Sequence, residues 1–312
     1  MLFLWLSWSI YGQLRAQPGL GEHLRSLRGA MAHDASWFWT VLALMVVNWG
    51  LESRKWQILL YGLCRIPFFR AFQAILSGLA FAMNTPNRVG EYGGRVLFVP
   101  EGMRLRAVSL TLAGSMAQLL VTMVMGSIGL SLLRPALVEG IGGASAGMWI
   151  DVFRFITAVC ALAGSLLYFR LGWMVRMLER IPGSGRVTRH VTVMGTLTVS
   201  VLLRVMLLSL LRFLVFGIQY ILMLRFLQVS VGWWAGLWTV SVLFLLLAMV
   251  PTIALLELGL RWRYSLVLFG LFSSDAVAIY AAATGIWLVN LVLPALAGSI
   301  FMIGVRVFRG AS

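Results

Sequence analysis

Apolar residues in this chain come in long unbroken runs, with polar residues confined to the run ends or to isolated positions. Runs of that kind predict membrane-spanning helices. About 20 residues at 1.5 Å rise cross a ~30 Å hydrocarbon layer, and a helix bonds every backbone polar group internally. Spans are expected at 36–61, 106–133, 147–169 and 204–227, then at 275–291 and 292–306. The opening run, Met1 to Tyr11, is shorter and reads as a first membrane helix cut short at its start. Residues 15–35 read as an interfacial connection.

Two apolar stretches break in the middle. Residues 68–84 end at Asn84-Thr-Pro86-Asn-Arg88-Val-Gly90-Glu91, with Arg95 following, and residues 233–250 end at Pro251, with Glu257 and Arg261 following. Glu257 lies 166 residues after Glu91, and Arg261 the same interval after Arg95. The flanking spans correspond as well. This pattern predicts an all-α, polytopic membrane bundle of two internally repeated halves, each with a discontinuous helix pair that crosses the membrane or returns to the side it entered. The expected division is a single transmembrane domain over 1–312: a first half over 1–133, a connecting span and basic loop over 134–203, and a second half over 204–312. Alternating the spans makes the two halves parallel.

Composition strengthens the membrane reading. Of 312 residues 61% are hydrophobic and 11% charged, and the mean hydropathy is +0.93. A soluble domain carries about 25% charged residues. The net charge of +15 comes from arginines at the ends of apolar runs, as juxtamembrane bases do, and no aromatic-interleaved basic groove argues for nucleic acid. The connection carrying Arg170, Arg176, Arg180, Arg186 and Arg189 is expected in the cytoplasm, the one near Arg134, Glu139 and Asp151 outside, and the tail with Arg306 and Arg309 inside. Cys64 and Cys160 fall in different segments and imply neither disulfide nor metal.

The candidate chemistry sits at the two breaks. An ionised side chain deep in a bilayer costs about 2.5–3.5 kcal/mol on insertion scales. Glu91 with Arg95, and Glu257 with Arg261, are spaced to pair on one helical face. One reading is that each pair only neutralises itself and pins two half-helices. The other is a polar crevice in which arginine forks hold an anionic headgroup. Asn84 and Arg88 flank the first break as further donors, although Arg88 is equally suited to reach the interface. Pro86, Gly90 and Pro251 serve the irregular backbone. Asn48, Gln118, Arg204, Arg212, Gln219, Asp275 and Asn290 are read mostly as interhelical hydrogen-bonding groups, and Glu52, Arg54 and Trp56 as the end of a span at an aromatic belt. No nucleotide-binding, zinc or catalytic-triad motif is legible. Gly143-Ala-Ser145-Ala-Gly147 matches the nucleophile-elbow pattern but lacks its preceding strand.

The first break, with Glu52-x3-Trp56 upstream and Arg212, Gln219, Pro251 to Arg261 and Trp287-x2-Asn290 downstream, resembles the transmembrane region of the lysylphosphatidylglycerol synthase family, the flippase-like proteins. The resemblance spans nearly the whole chain. It implies movement of a lipid between leaflets, an aminoacylated phospholipid in the two-domain members, without the aminoacyl-transfer activity, which belongs to a separate soluble domain.

The expected function is therefore translocation of a phospholipid or polyprenyl-phosphate-type headgroup in the cell (inner) membrane. Arg88, Arg95 and Arg261 would hold the phosphate, and Glu91 and Glu257 would balance them. The expected partner is a membrane lipid, with no cofactor and no metal; homo-oligomerisation is left open. The alternatives are a membrane enzyme acting on a lipid headgroup, with Glu91 as base, and a non-catalytic scaffold.

Overall fold

The computed structural model describes residues 35–309, apart from 84, 86, 87, 142, 182–184, 252 and 253, together with 21, 22, 25, 28 and 29. The expected helix at Met1–Tyr11 and most of the connection after it lie outside the described residues. All regular structure among the described residues is helical.

Helix α1 spans Ala35–Leu60, followed by the short α2 (Phe68–Ala82) and α3 (Gly90–Val96) around the first break. A 38-residue helix, α4 (Arg104–Ile141), and α5 (Gly143–Tyr168) come next. Two short helices, α6 (Leu171–Glu179) and α7 (Gly185–Val191), occupy the basic connection expected as a loop. The second half repeats the succession of the first: α8 (Val199–Phe226), α9 (Trp233–Met249), a break, α10 (Ala254–Phe269), then α11 (Ala276–Trp287) leading into α12 (Leu293–Arg309). Among the described residues four helices are long and apolar enough to cross a membrane: Glu101–Gly140, Gly147–Tyr168, Val199–Phe226 and Ala276–Met302. The spans expected separately at 275–291 and 292–306 are thus one helix, because the turn joining them is a π turn at Leu288–Val292 rather than a chain reversal.

The outer surface is apolar. On α5 Trp149, Phe155, Leu162 and Leu166 are all exposed, which water would penalise and lipid does not. This is a membrane-embedded bundle.

Helix direction follows from side-chain partners. Gln219 donates to the Val41 carbonyl at 2.9 Å, Arg212 to Asn48 at 2.9 Å and Lys55 to Ser209 at 3.5 Å, so α1 and α8 run antiparallel. The core sorts the remaining elements into two ends. At one end Val41 packs with Leu130–Leu137 of α4, Tyr220–Phe226 of α8 and Ala278–Ile286 of α11. At the other, Trp49–Leu60 of α1 pack with Ala107–Ala117 of α4, Leu202 and Val205 of α8, and Leu291–Ala295. The first hairpin, α2–α3, belongs to this second end, where α1 leaves off and α4 begins. The second hairpin, α9–α10, belongs mainly to the first end, between the close of α8 and the start of α11.

Both hairpins therefore return to the end they entered, from opposite ends of the bundle. The parallel arrangement expected from loop charges is corrected: α1 and α8 begin at opposite ends, so the halves are inverted. The physical reason is that each broken pair turns back instead of crossing, which reverses the alternation of the helices that follow it. Packing is exchanged between the halves, with α2 lying on α12 and α9 lying on α4.

The α2–α3 hairpin closes backbone to backbone. A methyl at Gly94 would lie 2.5 Å from the Cα of Gly78 and 2.7 Å from the Ser77 carbonyl. Gly94→Ala is expected to wedge the hairpin open and lower stability by about 1–3 kcal/mol, read as a fall in the melting midpoint of the detergent-purified protein.

Candidate functional site

The two breaks meet inside the bundle. Arg88 precedes α3 with φ of 57°, a left-handed backbone conformation uncommon for a residue with a side chain. From there its guanidinium reaches the Glu257 carboxylate at 3.3 Å, in the first turn of α10. One turn on, Arg261 donates to the other oxygen of Glu257 at 2.8 Å. The i,i+4 pair expected in the second half is present, and its carboxylate also ties the two hairpins together. Arg88 does not spend its charge at the interface alone. Gly90 is required where α3 begins, since a Cβ there would stand 2.5 Å from the Phe81 carbonyl; its N–H donates to Thr85 Oγ1 at 2.7 Å.

A second cluster lies deeper and centres on Glu52 of α1, 4% exposed. Its carboxylate accepts from Lys55 at 2.6 Å, Arg95 at 3.0 Å and Arg212 at 3.0 Å. Arg95 also pairs with Glu91, as the i,i+4 spacing predicted. Arg212 lies over the Trp49 ring, 4.7 Å from its centroid. Asn48, which accepts from Arg212, donates in turn to Asn290 at 3.4 Å, inside the π turn. Such a turn shifts the register of one helix face, and π turns are frequent at functional sites.

The belt reading of Glu52 and Trp56 is corrected. Both are buried, Trp56 donating to Thr111 at 3.0 Å, because the first hairpin and α4 cover the end of α1; Arg54 alone stays exposed. Lys55, to which the sequence lent no role, is 2% exposed. Of the residues read as interhelical hydrogen-bonding groups, Gln118 and Gln219 do join helices, whereas Asp275 caps the N-terminus of α11 by accepting from Ala278 N–H at 2.9 Å.

Between the breaks lies a cavity of about 310 Å³. Arg88, Gln118, Arg212, Glu257, Arg261 and Asn290 are its polar lining, with the indoles of Trp49 and Trp287 beside them. Phe213, Phe216, Phe244 and Leu247 form an apolar wall that runs out to the exposed Ala248. Nε and Nη1 of Arg261, and the indole nitrogens of Trp287 and Trp49, are buried without a hydrogen-bond partner. Unmet buried donors are costly, and these four lie just behind the cavity surface, so a small side-chain shift toward an anion in this space would satisfy them.

No family model, curated protein or solved structure matches this chain. The site therefore rests on its own geometry.

Of the predicted site residues, Arg88, Glu257 and Arg261 line the cavity. Glu91 and Arg95 do not; they join Glu52 in the buried cluster behind it. Pro251 ends the apolar stretch before α10, and Asn84 and Pro86 lie outside the described residues. Sequence reasoning passed over Arg212, Trp49 and Trp287 as wall residues. The available signal was Arg212 itself, an intramembrane cation with no acid on its own helix.

Proposed function

We propose that the chain moves a lipid headgroup across the membrane through the cavity between its two hairpins. The observation that carries this reading is the cavity's mixed lining: arginines with unmet donors just behind them, and aromatic and aliphatic groups leading outward. A headgroup needs the polar wall, whereas its tails can stay among the exposed apolar residues. The inverted hairpins support the same reading. Each approaches the site from its own end, so rocking one against the other would open the site to alternate sides. The resemblance to flippase-like membrane regions points the same way.

Arg65, Arg70, Arg104, Arg170, Arg176 and Arg180 gather at the end where α1 finishes. By the positive-inside tendency that end faces the cytoplasm, in a cell (inner) membrane, and the C-terminus lies on that side.

The test is leaflet exchange of fluorescent phospholipids in proteoliposomes. Wild-type protein is expected to exceed empty liposomes, and Arg88→Gln to slow exchange about tenfold, the loss of one charge-assisted contact. Exchange at the empty-liposome rate for zwitterionic, anionic and polyprenyl-phosphate lipids, with and without a proton gradient, would refute translocation.

A further inference from the structure

The charge count at the site selects among headgroups. On the cavity wall three arginines, Arg88, Arg212 and Arg261, face one carboxylate, Glu257. The buried cluster behind does not correct the excess, because Glu52 and Glu91 are already shared among Lys55, Arg95 and Arg212. Taken together, five cations meet three carboxylates, which leaves two positive charges in a low-dielectric interior.

The hydrogen-bond count runs in the same direction. Arg261 is 6% exposed and Trp287 1%, and together they hold three unpartnered donors beside the cavity; Trp49 holds a fourth. Against them stands one unpartnered acceptor on the wall, Oε1 of Gln118. An amine headgroup would need an uncompensated carboxylate, yet Glu257 already faces two arginines, Arg88 and Arg261.

We infer that the cavity binds a lipid phosphomonoester, a headgroup with about −1.5 to −2 charge and three terminal oxygens, in preference to phosphodiester or amine-bearing lipids. A diester supplies a single negative charge and two free oxygens. It would leave one cation and part of the donor set unmet. The inference rests on the cavity being the lipid site, and it narrows the resemblance, which by itself suggests an aminoacylated and therefore amine-bearing lipid.

The test uses the purified full chain in detergent. Phosphatidic acid, phosphatidylglycerol and phosphatidylethanolamine with identical acyl chains, and inorganic phosphate, are titrated while the melting midpoint is followed. Phosphatidic acid is expected to half-saturate at a concentration at least tenfold below the other two lipids, and inorganic phosphate at one far higher. In Arg261→Gln the preference should shrink to within about twofold. Should that variant not fold, the wild type decides alone: the preference for phosphatidic acid should grow between pH 5 and 7.5, as the monoester loses its second proton near pH 6. Equal binding of the three lipids, or a preference independent of pH, would overturn the inference. Inorganic phosphate as tight as phosphatidic acid would overturn the lipid as its source. Selective binding without leaflet exchange would uphold the inference and remove translocation, whereas exchange without monoester preference would do the reverse.

Discussion

Glu52→Leu is expected to leave little folded protein. Its carboxylate is the shared partner of Lys55, Arg95 and Arg212, and all four residues are buried or largely so. Removing one member of a buried ion pair costs about 3–5 kcal/mol, because the remaining charge stays desolvated. Here three cations from three helices lose their partner, and only Arg95 keeps another carboxylate, Glu91. The expected loss is therefore at the top of that range or above it, comparable with the whole stability of many domains. Size-exclusion profiles of the detergent-solubilised protein and its melting midpoint would show it. Adding Lys55→Met should restore part of the loss, since one uncompensated charge is removed with the carboxylate. A normal profile for Glu52→Leu alone would mean that water or lipid headgroups reach this cluster.

The second large effect falls on activity. Arg261→Gln removes the wall residue with the most unmet donors while leaving Glu257 its contact with Arg88. A charge-assisted hydrogen bond contributes about 1.5–3 kcal/mol, so losing one or two at the headgroup should slow leaflet exchange by about tenfold to several hundredfold. Stability should change much less than for Glu52→Leu, because no carboxylate is stranded. Arg54→Gln, on an exposed part of α1, serves as the control and should exchange lipid at the wild-type rate. Equal rates for both variants would remove Arg261 from the lipid path.

What could be read from the sequence depended on how local it was. The two breaks showed because Pro, Gly and paired charges interrupt apolar runs, and the Glu-Arg spacing of four residues places both partners on one helical face. The meeting of Arg88 with Glu257, 169 residues away, has no local signature. Neither has the sharing of Glu52 among three cations. Its position near the end of an apolar run suits an interfacial residue equally well, and only the covering hairpin decides. Re-entry was also hidden. Helices of 15 and 17 residues, α2 and α9, extend about 22–26 Å, long enough to suggest a crossing and short enough to turn back. The π turn that places Asn290 has no marker, since the surrounding sequence continues as ordinary apolar helix.

The exchanged packing of the two halves bears on how the protein is made. Ser77 of the first hairpin donates to the carbonyl of Gly298, 221 residues later in the chain. At about 5–20 residues per second of synthesis, roughly 11–44 s separate their emergence from the ribosome. Throughout that interval the first hairpin lies in the membrane without the helix that will cover it. Messages truncated before α12 should thus yield chains with the hairpin's inner face bare, recognisable to membrane quality-control proteases, because a helix of the second half is the one that closes the first.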